Sequence, residues 1–338
     1  MKDLNKIITK FNKVRILVVG DLILDQHIWG DVERISPEAP VPVVWAKKRT
    51  YAPGGAANVA NNISAFGAKV TLCGVLGDRK DPATKTFQDE AKKLNIDMKG
   101  VLFEAGRRTT LKTRIIAGHQ QIVRIDWEDV HYISGNIKMK IFKYLGDNIK
   151  KFDAIIIEDY GKGLLDRELT VDIIKKAKYF KKIVTVDPKE NHFDCYKYAT
   201  CITPNRKEAQ NAIRYLKMKD KGNLFKIYTE TLLTDKDIIK AGEAILEYLQ
   251  LESFLITLGE GGMWLFEKGK NKRIPTVAQK VFDVSGAGDT VIGTFTLALC
   301  AGASKLEAAH IANFAAGIVV GKLGTAVTST KELLERIK

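Results

Sequence analysis

The sequence predicts a doubly wound α/β fold, in which helices flank a mostly parallel sheet and a small β-sheet forms a lid. Short runs rich in β-branched residues alternate along the chain with amphipathic segments of helical length. Strands that alternate with helices of about 10–15 residues form parallel sheets. Residues 26–51 and 106–126 are instead β-like with polar residues at alternate positions. This pattern is typical of an exposed sheet and predicts the lid.

The elements of the main layer follow in order. The first strand is predicted within residues 15–24, where "RILVVGDLIL" runs into a turn. Residues 54–68 have helical spacing, residues 69–77 are strand-like, and residues 82–96 form an amphipathic helix. Later strands are predicted in 153–161, 182–188, 199–205 and 253–259, and later helices in 169–180, 207–216, 235–249 and 290–301.

Composition narrows the functional classes. The chain has 338 residues, 45% of them hydrophobic, and no apolar run approaches the roughly 20 residues of a membrane span. The net charge of +14 is spread along the chain without zinc-finger spacing, so we predict a solvated surface and no nucleic-acid partner. The four cysteines show no CxxC spacing and no signal peptide precedes the first strand, which indicates a cytoplasmic protein.

Polar residues follow most of the predicted strands. In doubly wound sheets, ligands bind outside the carboxyl ends of the strands. The residues at these positions are Asp21, Asp25, Glu158, Asp159, Asp187, Asn205, Gly259 and the turn at 285–289. A binding site is therefore predicted at this edge.

The stretch "FDVSGAGDT" (282–290) carries the clearest chemical signal. A dinucleotide fingerprint is excluded because Val291 stands at the third glycine position, and a P-loop is excluded by spacing. The predicted helix after this turn would point free amides of residues 286–289 at an anion. Asp289 is then either a general base beside the anion or a simple helix cap.

Four segments together resemble the ribokinase-like PfkB carbohydrate kinases, over essentially the whole chain. They are "DVSGAGDT" (283–290), "PGGAANVANNISAFGA" (53–68), "TPNRKEA" (203–209) and "ITLGEGG" (256–262). Val284 departs from the threonine usual in the family's GAGD signature. The resemblance implies a single ribokinase-like kinase domain over residues 1–338 that uses ATP and Mg²⁺.

Within the family, residues 20–44, "QQIVRID" (120–126) and "VVGKLGT" (319–325) resemble the kinases of heptose 7-phosphate. The implied reaction is phosphorylation of the anomeric 1-hydroxyl of D-glycero-β-D-manno-heptose 7-phosphate, in the synthesis of ADP-heptose, a lipopolysaccharide precursor. We expect no nucleotidyltransferase domain in this chain, which is either a stand-alone kinase or the kinase half of a longer protein. A separate nucleotidyltransferase would then act downstream.

The resemblance implies roles for the predicted catalytic and sugar-binding residues. Asp289 would be the general base, and an anion hole would be formed by Gly286, Ala287 and Gly288. The acceptor sugar would be bound by Asp25, Gly54, Gly55 and Asn58. The alternative for Asp25 and Asn58 is that each is an ordinary cap of a turn or helix.

An acceptor with its own phosphate, as the resemblance implies, would require cations, which the lid would supply. The candidates on the predicted lid strands are Lys112, Arg114 and Arg124, with Gln121 for hydroxyl groups and Arg34, Arg107 and Arg108 behind them. Arginine's planar fork suits phosphate oxygens. The alternative is a basic strand edge that discourages pairing with other chains.

The nucleotide and cation sites also follow from the resemblance. ATP and Mg²⁺ would be bound by Asn205, Lys207, Glu208, Thr257, Gly259, Gly262 and Asn313, with Glu208 acting on Mg²⁺ through water. Asn313 is either near the adenine or a core residue satisfied by backbone. A monovalent cation such as K⁺ would be bound by Asp283, Ser285, Gly324 and Thr328.

Two other functions stay open at this level. One is a different PfkB kinase, for a fructose phosphate, ribose or a nucleoside. The other is a non-catalytic sugar-binding protein on the same fold. The family resemblance also predicts a homodimer formed through the lid strands. None of the histidines shows metal spacing, and none is given a catalytic role.

Overall fold

A computed structural model describes residues 4–118, 120–222, 224–227, 230–278 and 280–337. His119 lies outside these residues. The described strands are β1 (Arg15–Gly20), β2 (Leu22–Ile35), β3 (Pro42–Gly55), β4 (Lys69–Leu76), β5 (Asp97–Phe103), β6 (Thr110–Ala117), β7 (Gln120–Trp127), β8 (Ala154–Glu158), β9 (Ile183–Asp187), β10 (Cys201–Ile202), β11 (Ser253–Thr257), β12 (Met263–Glu267) and β13 (Lys270–Ile274). The described helices are α1 (Leu4–Ile8), α2 (Ala56–Ala65), α3 (Pro82–Lys93), α4 (Gly135–Asn148), α5 (Arg167–Tyr179), α6 (Arg206–Lys219), α7 (Asp235–Tyr248), α8 (Ala287–Cys300), α9 (Lys305–Val319) and α10 (Thr330–Ile337).

The larger sheet confirms the predicted doubly wound architecture. Its strand order across the described residues is β13-β12-β11-β10-β9-β8-β1-β4-β5. The strands from β11 to β5 in this order are parallel, while β12 and β13 add an antiparallel edge. The sequence pattern does not predict this edge hairpin.

Helices cover both faces of the larger sheet, as the alternation along β1 shows. Ile16 and Val18 belong to the core shared with α2, α8 and α9. Leu17 and Val19 belong to the opposite core, shared with α4, α5, α6 and α7. A strand buried on both faces has an unbroken apolar sequence, which is what "ILVV" (16–19) shows.

The direction of strand addition reverses at β1. From β1 the chain adds β4 and β5 on one side and β8, β9, β10 and β11 on the other. This reversal is the topological switch point at which open α/β sheets bind their ligands. The carboxyl ends of β1, β8 and β9 bring Asp21, Glu158 and Asp187 to this edge.

The smaller sheet confirms the predicted lid, although its first strand begins earlier than expected. Its strand order is β3-β2-β6-β7. The sequence predicts a strand that runs into a turn at residues 15–24, but they contain β1 and the first residues of β2, since β2 starts at Leu22, two residues after β1 ends. Leu22, Ile23 and Leu24 are buried, so this part of the lid is as apolar as a core strand.

Over the residues described, none of the helices combines the length and apolar character required to cross a membrane.

Candidate active site

Asp289 is buried in the first turn of α8, where two side chains hold its carboxylate. The Asn58 Nδ2 on α2 donates to Oδ2 at 2.5 Å, and the Tyr160 hydroxyl donates to Oδ1 at 3.4 Å. The helix begins at Ala287 rather than at the predicted residue 290. Gly286, with φ 76°, takes the left-handed conformation before it, which glycine adopts at little cost. Asp289 therefore lies inside the helix, with a fixed orientation.

The environment of Asp289 gives its carboxyl group the acidity of a general base. Burial raises its pKa to about 6, and the charge of Asp25 acts in the same direction. The hydrogen bonds from Asn58 and Tyr160 oppose this rise because they favour the ionised form. A base works best when its pKa lies near the working pH.

The raised pKa predicts an acid limit to activity. If Asp289 is the general base that the family resemblance implies, only its ionised form accepts a proton, so kcat/KM for the acceptor should fall about tenfold per pH unit below the pKa of Asp289 and level off above it. That pKa is about 6. Initial rates at saturating ATP, measured as a function of pH, show this acid limb of the pH profile. Unfolding is followed over the same pH range as a control. A limb near the ordinary carboxyl value of about 4 contradicts the assignment.

Two further carboxyl groups face Asp289. One oxygen each of Glu158, Asp187 and Asp289 lie within 4.8 Å of one another. Glu158 is fully buried, and neither of its carboxyl oxygens has a hydrogen-bond partner within the described structure. Burial and mutual repulsion raise the pKa values of Glu158 and Asp187 well above their usual range. Burial and neighbouring negative charge thus favour the protonated forms of Glu158 and Asp187, and a bound cation would favour their ionised forms.

The turn before α8 presents amides to the same space. The Ala287 amide donates to the Val284 carbonyl at 3.2 Å, so it is occupied within the turn. The amides of Gly288 and Asp289 belong to the first helical turn, where no intrahelical acceptor exists. A Cβ on Gly286 would lie 2.7 Å from Asn58 Nδ2, so glycine is required for this close approach. The predicted anion hole is thus left with Gly286, Gly288 and Asp289 as donors.

The predicted sugar-binding residues lie together where β3 meets α2. Gly54 and Gly55 end β3, and a side chain on Gly54 would collide with the carboxylate of Asp25 on β2. The Asn58 Nδ2 donates a hydrogen bond to Asp289, while the Asn58 Oδ1 is buried without a partner among the described groups. This orphaned oxygen can accept a hydrogen bond from a sugar hydroxyl. Asn58 is therefore not a helix cap, and Asp25 lies within a strand.

The lid cations differ in how they are neutralised. Arg114 forms an ion pair with Asp25, and Arg124 binds Asp126 through two hydrogen bonds of 2.9 and 3.0 Å. Lys112 makes no ion pair with a described residue, and its pKa is lowered by burial and by the charge of Lys162. Register places Lys112 opposite Asp25 and Asp126 on the same face of the lid.

The other predicted lid residues have different surroundings. Gln121 is exposed on β7 opposite Ile116. Arg107 is buried, pairs with Glu104, and donates to the carbonyls of Asp129, His131 and Lys162. Its guanidinium is thus occupied by structural contacts and does not lie free for a phosphate. Arg108 pairs loosely with Asp129 at 3.4 Å.

A cavity of about 410 Å³ lies between β11 and the start of α8. Its volume falls within the range of ligand pockets. Most of the residues predicted to bind nucleotide line it, together with two from the anion turn: Thr257, Gly259, Gly262, Asn313, Ala287 and Gly288. Asn313 lines the cavity and donates to the Pro275 carbonyl at 2.7 Å, so its side chain is satisfied by backbone, and its position near an adenine stays a prediction. The cavity is continuous with the anion turn.

Asn205 and Glu208 form the capping box of α6. The Asn205 amide donates to Glu208 Oε2 at 2.8 Å, and the Glu208 amide donates to Asn205 Oδ1 at 3.0 Å. The Glu208 Oε1 and Asn205 Nδ2 take no part in these bonds. Burial raises the pKa of Glu208, whose charge also acts on Asp187. Lys207 is exposed beside them.

The residues predicted to bind a monovalent cation are brought together only in part. Asp283 accepts the amide of Ser285 at 2.9 Å and the amide of Gly324 at 3.1 Å. Its carboxylate thus joins two loops and keeps lone pairs for a cation. Thr328 is buried, and its hydroxyl donates to Glu332 at 3.5 Å.

Three side chains at this edge were not given a role from sequence: Glu158, Tyr160 and Asp187. In the sequence, only the position of these residues indicates a role, since each lies at or near the end of a predicted strand. Residue type alone does not separate them from other polar strand ends, because only their contacts with Asp289 and with each other identify them.

Comparisons with known proteins agree with this geometry. The family model described as "pfkB family carbohydrate kinase" matches residues 13–332. The chain is 44% identical over 319 residues to "Bifunctional protein HldE" of Helicobacter pylori strain J99, which covers 94% of this chain and 65% of the relative. It is also 44% identical over 332 residues to "Bifunctional protein HldE" of Desulfatibacillum aliphaticivorans, covering 98% and 64%. The chain therefore spans slightly less than two thirds of the length of these relatives.

Solved structures share the fold at low identity. Arabidopsis thaliana ribokinase, complexed with ribose and ATP, matches with a TM-score of 0.70 and 19% identity, covering 96% of this chain and 99% of that chain. Escherichia coli phosphofructokinase-2, in complex with substrates and products, matches with a TM-score of 0.73 and 17% identity, covering 95% and 98%. The chain has the ribokinase-like α/β fold with a small second sheet.

Proposed function

The chain belongs to the pfkB family of carbohydrate kinases, and from that premise we propose that it phosphorylates the anomeric 1-hydroxyl of D-glycero-β-D-manno-heptose 7-phosphate, with ATP as donor. As a family member it is a phosphotransferase with an alcohol acceptor. The observation that best supports this reaction is that Asp289 is buried beside the backbone amides at the start of α8. A heptose kinase role is supported by the 44% identity to the HldE proteins.

In this reaction Asp289 accepts the proton of the 1-hydroxyl as the sugar oxygen attacks the γ-phosphorus. A bond forms between that oxygen and the phosphorus, the bond from phosphorus to the β-phosphate oxygen breaks, and ADP leaves. The amides of Gly286 and Gly288 stabilise the charge on the transferring group. Asn58 holds the base through Nδ2 and offers its unpartnered Oδ1 to a sugar hydroxyl.

The nucleotide occupies the 410 Å³ cavity in this proposal. Its phosphates would extend from the loop at Gly259 towards the turn at Gly288, both of which line that cavity. ATP use is supported by the ribokinase neighbour complexed with ribose and ATP.

The cations of the proposal fit residues at the same edge. Bound Mg²⁺ neutralises phosphate charge, and it keeps several waters in most nucleotide sites. The Glu208 Oε1, which lies outside the capping box, would hold one of those waters. K⁺ would be held by the remaining lone pairs of Asp283 and by groups of the loops at Ser285, Gly324 and Thr328.

The acceptor's 7-phosphate would bind at Lys112. Arg114 and Arg124 are engaged by Asp25 and Asp126, whereas Lys112 has no ion pair with a described residue. Lys162 is close enough to lower the pKa of Lys112 but pairs with Glu128 at 2.6 Å, so the excess of positive charge there comes from Lys112. Such an excess favours a dianionic phosphate group.

A screen of sugars, with a lid variant beside the wild type, tests the proposed substrate. The wild type should phosphorylate heptose 7-phosphate in preference to fructose 6-phosphate and ribose. Lys112→Ala should raise KM for heptose 7-phosphate about tenfold, because one charge-assisted contact is lost. It should leave KM for the unphosphorylated heptose unchanged. A coupled assay that detects ADP measures both values.

The matched control for that screen is Lys85→Ala, which removes an exposed lysine from α3. Its kinetics should equal those of the wild type. Faster turnover of fructose 6-phosphate or ribose contradicts the heptose assignment and favours another kinase of the family. An unchanged KM in Lys112→Ala contradicts the phosphate site. Absence of phosphorylation of any sugar favours a non-catalytic sugar-binding protein.

A homodimer through the lid is part of the proposal. Val123, Ile125 and Trp127 alternate along β7, so they share one face, and all three are exposed. A second copy of the chain would cover this apolar face and the edge of β7.

A nucleotidyltransferase activity, in the same protein or a separate one, would use the 1-phosphate product. The proposed cytoplasmic location rests on the four free thiols.

A further inference from the structure

The segment that follows β8, residues 159–164, is held by one buried carboxylate. Asp21, which is 3% exposed, accepts the amides of Tyr160, Lys162 and Leu164 at 2.9, 3.0 and 3.3 Å. Three amide donors on one carboxylate fix the path of this backbone. Because Asp21 directly follows β1, the segment is attached to the switch point of the sheet.

Asp21 also fixes the start of α2. Its backbone carbonyl accepts the amide of Ala56, the first residue of α2, at 3.0 Å, and its own amide donates to the Glu158 carbonyl at 3.2 Å. Gly55 takes φ 56°, and a Cβ there would lie 2.5 Å from the same Asp21 carbonyl. The backbone of Asp21 is therefore packed against the turn that precedes Asn58.

The two elements held by Asp21 each supply one donor to Asp289. Asn58 on α2 donates to Oδ2, and Tyr160 in the segment after β8 donates to Oδ1. With one donor on each oxygen, the carboxylate cannot rotate about its Cβ–Cγ bond without losing a hydrogen bond. Asn58 and Tyr160 thus set the plane of the carboxylate from opposite sides.

We propose that Tyr160 is a positioning residue for the general base and that Asp21 fixes Tyr160 in place. This inference rests on the proposed function, because it assigns the tyrosine to the base of that reaction. The phenol orients the carboxylate towards the acceptor hydroxyl and favours its ionised form. It does not line the nucleotide cavity, so its contribution falls on turnover and leaves ATP binding unchanged.

Tyr160→Phe tests this role, because it removes the hydroxyl and keeps the ring. We expect kcat to fall about tenfold, since a hydrogen bond to an ionised group is lost, while KM for ATP stays within about twofold. A residue that only packs would leave kcat unchanged as well. Tyr179→Phe, at an exposed tyrosine on α5, is the matched control and should behave as wild type.

Asp21→Asn supplies a second, independent variant. Its side chain keeps one acceptor oxygen but presents an NH2 group in place of the other, so at least one of the three backbone donors loses its acceptor and the segment at 160–164 should shift. We expect kcat to fall at least as far as in Tyr160→Phe. The double variant should lose less than the product of the two single effects, because both act through the same contact. Thermal unfolding shows whether Asp21→Asn remains folded, and Tyr160→Phe still decides the inference if it does not.

The outcomes separate this inference from the proposed function. A wild type that phosphorylates no sugar overturns the proposed function, and this inference with it. An active wild type with kcat of Tyr160→Phe within twofold of its own value overturns only the inference. So does a loss that appears entirely as a higher KM for ATP. A fall in kcat alone, with an unchanged Tyr179→Phe control, supports it.

Discussion

Replacement of Asp289 by asparagine is expected to lower kcat by about 10²–10⁴. The amide matches the carboxyl group in shape but cannot take the acceptor's proton. ATP binding should persist, because the nucleotide cavity does not include this side chain. The buried carboxylate carries a desolvation cost that raises its pKa to about 6, so a neutral substitute should leave the fold intact. Steady-state rates and nucleotide titration measure the two effects separately.

The matched control for this variant is Asp147→Asn, which neutralises an exposed aspartate on α4 paired with Lys143. It should keep wild-type kinetics. If Asp289→Asn retains more than a tenth of the wild-type kcat, Asp289 is not the base. In that case the helix-cap alternative for this residue gains support.

Gly288→Val is expected to lower kcat/KM by about 10²–10³, the range seen when an oxyanion donor is lost. The amide of Gly288 lies in the first turn of α8, where the transferring phosphate should approach. A Cβ at Gly288 meets only Asp187 Oδ2, at an ordinary 3.8 Å, so the protein alone has room for it. The loss should therefore arise from exclusion of the phosphate and not from unfolding. Rates and thermal unfolding together check this.

The control for Gly288→Val is Gly135→Val, at the first residue of α4, where an added Cβ meets no atom within 4 Å. This variant places the same side chain at another helix start and should keep full activity. A fully active Gly288→Val contradicts the proposed approach of phosphate to α8. A Gly288→Val protein that unfolds at the same temperature as wild type and has lost its activity supports it.

Much of the fold could be predicted because its signals are local. The unbroken apolar run of β1 and the amphipathic pattern of α3 each follow from the burial of a strand or a helix face. The edge hairpin of β12 and β13 was missed. An antiparallel addition at the edge of a parallel sheet depends on which strand it meets. Local sequence does not record that choice.

The start of β2 in the lid shows that burial alone does not assign a strand to the correct sheet. Leu22, Ile23 and Leu24 belong to β2, yet they are buried as deeply as the residues of β1. Apolar residues therefore stand on both sides of Gly20 and Asp21, and local sequence predicts a strand and a turn where the fold has two strands. Only the pairing of β2 with β3 and β6 separates them.

Only the tertiary structure shows which of the lid cations is left without a carboxylate partner. Lys112, Arg114 and Arg124 are equivalent candidates by charge and by position on the predicted lid strands. In the fold, Arg114 meets Asp25 from β2, whereas Lys112 meets no described carboxylate at ion-pair distance. Which charge is left for a ligand depends on contacts between strands, and sequence separation gives no information about them.

The sequence by itself determined the doubly wound class, the family and the turn that carries Asp289. Each of these is a property of adjacent residues, because strand periodicity, glycine conformations and helix starts act over a few positions. The tertiary structure decided what surrounds Asp289. Asn58 lies 231 residues away along the chain and Tyr160 lies 129 away. Burial and hydrogen bonding between such distant segments set the acidity and the orientation of the base, and they exist only once the chain has folded.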